Sequence, residues 1–105
     1  MNCYIEAKSV TLVDGDTAIF PDAPTLRGTK HINSLLAADK TGHRGAAVFI
    51  IQRDDAKRLI INRHSDPLFS HTLTLAKNNG VEVYAFTSNV SLNGVTMRES
   101  IPINI

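Results

Sequence analysis

The triplet Glu6-Ala7-Lys8 contains the first residues of the chain that could do chemistry together. In an extended strand alternate side chains share a face, so Glu6 and Lys8 point the same way, about 7 Å apart along the backbone. A carboxylate can hold Mg²⁺ through oxygen, and a nearby lysine can activate a water or stabilise charge on a scissile phosphate. Glu-x-Lys also occurs in many exposed strands as an ordinary ion pair, and the triplet alone favours that structural interpretation.

Three basic side chains, Arg27, Lys30 and His31, lie on a predicted helix. Arg27 and His31 are four residues apart and therefore lie one above the other. The free N–H groups at the start of this helix are suited to a phosphate. A solvated helix face is the alternative, favoured for Lys30, and a structural histidine is the alternative for His31.

The polar segment Gln52-Arg53-Asp54-Asp55 follows a predicted buried strand. Polar residues at a strand end often face a ligand crevice, and they equally form plain turns. The turn is favoured for Asp54, while both interpretations stay open for Arg53 and Asp55. The four histidines are not at metal-ligand spacings and the single cysteine cannot build a zinc site, so a zinc centre is not expected.

The pattern of apolar residues and turn signals predicts seven elements that position these side chains. Thr25 and Asp66 are predicted helix N-caps, with Gly42 and Gly80 as the stops. The turns Asp14-Gly15 and Asn93-Gly94 predict hairpins. The predicted strands span 3–12, 16–20, 46–51, 81–91 and 95–105, the helices 25–41 and 66–79, and residues 53–65 are expected to be irregular and basic. The order β-β-α-β-α-β-β predicts an α/β fold with a mixed β-sheet and flanking helices.

The composition is that of a single globular domain over residues 1–105, with 43% hydrophobic and 20% charged residues. The formal net charge of +1 does not by itself indicate a nucleic-acid partner. Between Arg27 and His64, however, eight lysines and arginines face only three acids, a net charge of +5. This segregation predicts either a basic patch or scattered solvated side chains, with equal weight.

The lone cysteine, Cys3, excludes an internal disulfide and reads as a small apolar strand residue. No apolar run is long enough to span a membrane, and the N-terminus lacks the pattern of a secretory signal. We therefore expect a cytoplasmic protein.

Five segments, taken in order, carry a resemblance to a known family: IEAKSVTL, FPDAPTLRGTKH, GHRGAAVFIIQRDDAKR, GVEVYAF and the ending SIPINI. They resemble the C-terminal region of the sugar fermentation stimulation protein A (SfsA) family, from about Cys3 to the last residue. That family combines an N-terminal domain similar to an oligonucleotide-binding (OB) barrel with a domain similar to PD-(D/E)xK nucleases. It is associated with DNA binding and with regulation of sugar, notably maltose, metabolism. The resemblance thus implies a restriction-endonuclease-like core without the OB-like domain.

The resemblance assigns roles to individual residues. Glu6 and Lys8 match the E-x-K motif as catalytic residues, with Glu6 and the Ala7 backbone carbonyl as ligands of a divalent metal, Mg²⁺. Asp22 lies in the matching FPDA segment and is the local candidate for a second acidic ligand. Arg27 and His31 match a helix that faces the substrate in related nucleases, and with Lys30 and Arg53 they form the predicted DNA-binding set. Ala7 departs from the usual valine, which leaves the carbonyl unchanged.

Two further departures set limits on these expectations. The PD-(D/E)xK site needs an aspartate on the strand before E-x-K, and only five residues precede Glu6 here. We therefore expect weak metal affinity, a core without its first strand, and a bare sheet edge that pairs with another copy or belongs to a longer parent. The family has also been associated with a C-terminal helix-turn-helix, whereas residues 82–101 alternate around Asn93-Gly94 and predict a β-hairpin.

The sequence leaves three functions open. The first is a DNA-binding protein on a nuclease-like fold, supported by the basic central stretch. The second is a Mg²⁺-dependent DNA nuclease in the full-length parent, with this short chain inactive by itself. The third is an inactive dimerisation module.

Overall fold

The computed structural model describes residues 2–105, which form eight strands and two helices. The helices are α1 (Leu26–Lys40) and α2 (Pro67–Asn78). The strands are β1 (Cys3–Val10), β2 (Val13–Asp14), β3 (Thr17–Phe20), β4 (Arg44–Ile51), β5 (Arg58–Ile61), β6 (Glu82–Ser91), β7 (Gly94–Ser100) and β8 (Ile103–Asn104).

The strands form two four-stranded sheets, both mixed. The first sheet has the order β1-β4-β6-β7, with β1 and β6 parallel to β4 and β7 antiparallel to β6. The second has the order β2-β3-β5-β8, in which only the β2–β3 pair is antiparallel. Strand β1 therefore lies at one edge of the first sheet, and its backbone has a strand neighbour on one side only.

Strand β4 lies inside the first sheet because its sequence is apolar on both faces. Ala47, Phe49 and Ile51 on one face are fully buried. On the same face, Gly45 lies under α1, where an added Cβ would come within 3.1 Å of the Leu35 carbonyl oxygen. The absence of a side chain at Gly45 thus lets α1 approach the sheet closely.

Helix α1 packs on that sheet face through the apolar stripe that the sequence predicts. Gly28, Ile32, Leu35 and Leu36 are all buried. The register aligns Glu6 with Ala47 and Lys8 with Phe49, so both charged side chains of β1 lie on the face that α1 covers. The fold therefore brings the charged pair under the helix that carries Arg27 and His31.

The other face of the first sheet leaves apolar side chains exposed. Ile5 on β1 is 63% exposed, Tyr84 on β6 is 39% exposed and Met97 on β7 is 44% exposed. Val48 and Ile50 of β4 lie between them and are partly exposed. Glu6 and Lys8 of β1 are consequently on the covered face, with Val10, whereas Ile5 is on the open face.

The predicted α/β class is confirmed, as is the order of the seven predicted elements. Thr25 and Asp66 are the helix N-caps, and Gly42 and Gly80 have the positive φ that ends each helix. None of the helices within residues 2–105 has the length and apolar character needed to cross a membrane.

Three details of the sequence prediction are wrong. A single sheet was expected, in which the strand at 16–20 follows the strand at 3–12, whereas β3 pairs with β2 and β5 in the second sheet and β1 pairs with β4 in the first. The segment 53–65 is not wholly irregular, because Leu59 and Ile61 of β5 alternate into the core. The predicted last strand divides into β7 and β8, which belong to different sheets.

The C-terminal region is a β-hairpin. Strands β6 and β7 pair antiparallel around Asn93-Gly94, and Gly94 has φ +123°. This confirms the hairpin prediction and excludes a helix-turn-helix between residues 82 and 101.

Candidate functional site

The candidate site lies where the edge strand β1 passes beneath the first half of α1. Lys8 Nζ is 2.6 Å from His31 Nδ1, and the same nitrogen of His31 is 3.4 Å from Glu6 Oε2. The Glu6 and His31 side chains are 34% and 31% exposed, so the cluster is half-buried and open to a ligand. The structure thus joins two residues of β1 with one residue of α1.

The two contacts of His31 Nδ1 require different protonation states of the ring. A lysine ammonium only donates, so the bond from Lys8 requires an unprotonated Nδ1. A bond from His31 to Glu6 requires a proton on the same atom. The distance to Lys8 is a true hydrogen-bond length and the distance to Glu6 is long, so we assign the proton to Nε2 of His31. His31 Nδ1 is then the atom that lies next to both the ammonium of Lys8 and the carboxylate of Glu6.

The charges around Lys8 oppose one another. Burial of the ammonium lowers the pKa of Lys8, the nearby charge of Arg27 lowers it further, and the carboxylate of Glu6 raises it. Arg27 is therefore close enough to act electrostatically on the strand. The site gathers three basic side chains around a single carboxylate, a balance that favours an anionic ligand.

The backbone of Ala7 is directed away from the sheet. Arg44 N–H donates to the Asn2 carbonyl and Gln52 N–H donates to the Val10 carbonyl, at the two ends of the parallel pair. In a parallel ladder the groups of alternate residues point to the same side, so even-numbered residues face β4 and Ala7 faces the open edge. The carbonyl of Ala7 is thus available as a metal ligand beside Glu6.

A second acidic ligand is not found beside Glu6. Within residues 2–105 no group of three or more histidine, cysteine, aspartate or glutamate side chains is placed to hold a metal ion. Asp22 is instead an exposed residue in the bend before α1.

The remaining predicted DNA-binding residues differ in their environment. Arg27 and Lys30 are exposed on α1, and neither forms an ion pair with any of residues 2–105. Arg53 lies in the loop after β4, where its guanidinium binds both carboxylate oxygens of Asp55 at 2.9 and 2.5 Å. The structure therefore groups Arg27 with Glu6, Lys8 and His31, and leaves the charge of Arg53 neutralised by Asp55.

Similar ion pairs reduce the unpaired positive charge of the basic stretch between Arg27 and His64. Arg44 is paired with Glu82, and Arg58 lies 2.6 Å from Asp16. The Glu82 pKa falls to about 2 because Arg44 and Tyr84 donate hydrogen bonds to its carboxylate. The unpaired cations on α1 are consequently a larger part of the available positive charge than the sequence count suggests.

Two relationships were missed from the sequence. The bond between Lys8 and His31 joins residues 23 positions apart, and Asp66 accepts a hydrogen bond from the backbone of Thr25 at 2.7 Å, 41 positions away. Each residue had been singled out separately, Lys8 from its motif and Asp66 from its capping pattern. No local signal indicates which distant group either one contacts.

Comparison with known proteins identifies the family. The family model described as the sugar fermentation stimulation protein RE domain matches residues 1–94. A sugar fermentation stimulation protein homolog of Desulforamulus reducens is 52% identical over 103 residues, covering 98% of this chain and 43% of the relative. A homolog of Moorella thermoacetica is 53% identical over 88 residues, covering 84% of this chain and 38% of the relative.

A solved structure agrees with this assignment. The structure of Pyrococcus furiosus SfsA in complex with Ca²⁺ matches with a TM-score of 0.88 and 30% sequence identity, over 98% of this chain and 45% of that chain. The chain thus spans less than half the length of the relatives it matches. The sequence motifs, the fold and these matches together show that the chain belongs to the SfsA family.

Proposed function

We propose that this protein binds DNA through the cluster of Lys8, Arg27, Lys30 and His31. The observation that carries the proposal is the 2.6 Å contact of Lys8 Nζ with His31 Nδ1, next to the charge of Arg27. The strand supplies Lys8 and the helix supplies His31, both half-buried, with Arg27 and Lys30 exposed on the same helix, and exposed basic side chains are what neutralisation of backbone phosphates requires. DNA binding is also the means by which a member of this family would regulate sugar metabolism.

Salt dependence tests the binding mode. With three phosphate contacts, affinity for duplex DNA should fall roughly 40-fold between about 50 and 200 mM salt. Fluorescence anisotropy with a labelled duplex of arbitrary sequence measures this slope. An affinity that is unchanged across the same range would contradict the proposal.

Charge-matched variants test the surface. Arg27→Ala combined with Lys30→Ala should weaken binding and reduce the salt slope by about two. Lys40→Ala combined with Lys77→Ala removes the same charge from the last turns of α1 and α2 and should leave the slope unchanged. Equal loss in both variants would indicate attraction by total charge and would overturn the assignment to α1.

The second candidate function is Mg²⁺-dependent cleavage of DNA, and two observations favour it. Glu6 and the outward carbonyl of Ala7 are adjacent oxygen donors, and Lys8 lies beside them. The matched structure of Pyrococcus furiosus SfsA is a complex with Ca²⁺. One carboxylate and one carbonyl suit a hard cation whose remaining ligands are water and phosphate, so the proposed affinity is weak.

Cleavage is tested most sharply in a full-length relative and in this chain side by side. Mg²⁺- or Mn²⁺-dependent cleavage should disappear on replacing the glutamate that matches Glu6 with glutamine or the lysine that matches Lys8 with methionine, while DNA binding survives. The 105-residue chain should show binding without robust cleavage. No cleavage by the full-length protein with either metal would exclude the nuclease function and leave DNA binding intact.

The exposed edge of β1 is the proposed site of self-association. The N–H and C=O groups of odd-numbered β1 residues point away from β4 and can pair with a second copy. Ile5→Pro removes one of these donors and should shift a dimer to monomer in analytical ultracentrifugation, whereas Ile5→Ala should not. If Ile5→Pro remains a dimer, this edge is not the dimer interface. If the unsubstituted chain is a monomer, the protein is not a dimerisation module.

A further inference from the structure

A second concave surface lies on the flank of α2, separate from the cluster on β1 and α1. It encloses a cavity of about 170 Å³ lined by Arg63, Pro67, Ser70, His71 and Thr74. The four helical residues are spaced i, i+3, i+4 and i+7 and therefore form one continuous stripe over two turns. Arg63 reaches this stripe from the turn that precedes the helix.

Three of the five side chains around the cavity can donate a hydrogen bond to a ligand. Arg63 supplies a guanidinium, His71 an imidazole and Ser70 a hydroxyl group. The hydroxyl of Thr74 donates to the Ser70 carbonyl at 2.9 Å, so its own oxygen is fixed in the wall. Ser70 is only 3% exposed, and it is one of the residues that line the cavity.

The charge of the cavity is positive. No carboxylate is among its lining residues, and Arg63 forms no ion pair within the described chain. Asp66 is only three residues from Arg63, yet both of its oxygens are occupied by the N–H groups of Phe69 and Thr25. In contrast to Arg44, Arg53 and Arg58, the guanidinium of Arg63 thus keeps its charge available.

We propose that this cavity binds the phosphoryl group of a phosphate ester. A guanidinium recognises two oxygens of such a group at once, and the hydroxyl and imidazole donors satisfy further oxygens. The volume suits a phosphoryl group alone, since cavities that enclose a drug-sized ligand measure roughly 300 Å³ or more. The rest of the ligand must therefore extend into solvent, as it does for a DNA backbone phosphate or for a small phosphate monoester.

Nuclear magnetic resonance on the isotope-labelled chain tests the site. Inorganic phosphate, titrated at constant ionic strength against chloride, should shift the imidazole signals of His71 and the amide of Ser70 in a saturable manner. Arg63→Gln should weaken this binding roughly tenfold or more, because it removes a charged hydrogen-bond donor. Arg98→Gln, an equal change on the exposed strand β7, should leave the binding unchanged.

A third variant tests the hydroxyl of Ser70. Ser70→Ala should weaken phosphate binding, since it removes a hydroxyl donor from the wall of the cavity. Chemical shift changes that do not saturate, or that are equal in the unsubstituted chain and in Arg63→Gln, would overturn the proposed site. Unchanged affinity in Ser70→Ala would also contradict it.

Two parallel titrations distinguish the sources of the phosphoryl group. If the ligand is nucleic acid, a short DNA duplex shifts His71 and Ser70, and Arg63→Gln lowers the salt slope by about one. If it is a small ester, glycerol phosphate shifts these signals and the duplex does not. If neither the duplex nor glycerol phosphate shifts these signals, the proposal is overturned. DNA binding at α1 is unaffected by that result, because the variants of Arg27 and Lys30 test it separately.

Discussion

The carboxylate of Asp66 accepts the backbone N–H of Thr25 at 2.7 Å while it caps α2 through the N–H of Phe69 at 3.0 Å. Thr25 in turn caps α1, since its hydroxyl accepts the Gly28 N–H at 3.0 Å. One buried carboxylate therefore fixes the starting points of both helices. Because Arg27 and His31 lie in the first two turns of α1, this link also positions the candidate site.

Asp66→Ala should destabilise the fold by about 2 kcal/mol, since it removes an N-cap and a second charge-assisted hydrogen bond. Urea denaturation followed by circular dichroism measures the difference. Asp54→Ala, at an exposed loop position, is the control and should change stability little. Equal effects of the two substitutions would show that Asp66 does not link the helices.

Acid should lower the stability of the fold, because the charged forms of some carboxylates are more stable in the folded protein than in the unfolded chain. Backbone N–H groups of Thr25 and Phe69 lower the pKa of Asp66, and hydrogen bonds from Arg44 and Tyr84 lower that of Glu82 to about 2. A lowered folded pKa stabilises the protein above the unfolded pKa of about 4, and this contribution is lost as the pH falls toward the folded value.

Denaturation midpoints measured from neutral pH downwards test this dependence. The midpoint should fall between about pH 4 and pH 2, and Asp66→Asn and Glu82→Gln should each flatten the decline. A midpoint that is constant over this interval, or a decline that both variants retain in full, would contradict the assignment.

Glu6→Gln should strengthen DNA binding when no divalent metal is present. The substitution removes the carboxylate that lies beside His31 among residues 2–105, and this carboxylate repels a nearby phosphate. Mg²⁺ should strengthen DNA binding by the unsubstituted chain and have little effect on Glu6→Gln, because this variant lacks the proposed metal ligand. Anisotropy titrations with and without Mg²⁺ give both comparisons. If Mg²⁺ acts alike on both proteins, Glu6 is not the metal ligand.

Gly28→Ala should destabilise the protein although alanine favours a helix more than glycine does. A Cβ at position 28 would lie 2.9 Å from the Thr25 side chain and 3.2 Å from Phe69 Cε1. It would therefore disturb both the N-cap and the contact with α2, at a cost of about 1–2 kcal/mol. Asn33→Ala, on the exposed face of α1, should be neutral or slightly stabilising, and thermal denaturation compares the two. A more stable Gly28→Ala would show that this contact relaxes freely.

Much of the local structure could be predicted because its causes lie within a few residues. The caps Thr25 and Asp66, the stops Gly42 and Gly80, and the turn at Asn93-Gly94 all depend on neighbouring backbone. Strand β5 was missed because Leu59, Ile60 and Ile61 form an apolar run of only three residues in a basic segment. Its strand conformation depends on pairing with β3 and β8, which the local sequence does not indicate.

The sequence by itself determined the family, the α/β class and the residue types of the site, since Glu6, Lys8, Arg27 and His31 were all identified from their positions along the chain. Only the tertiary structure decided that Lys8 contacts His31, that the Ala7 carbonyl faces an open edge and that Asp55 neutralises Arg53. The physical reason is range: capping and turn preferences act over a few residues, whereas contacts between charged side chains depend on which elements pack together. Packing of α1 on β1 and β4 is therefore what turns an ordinary Glu-x-Lys strand into a candidate site.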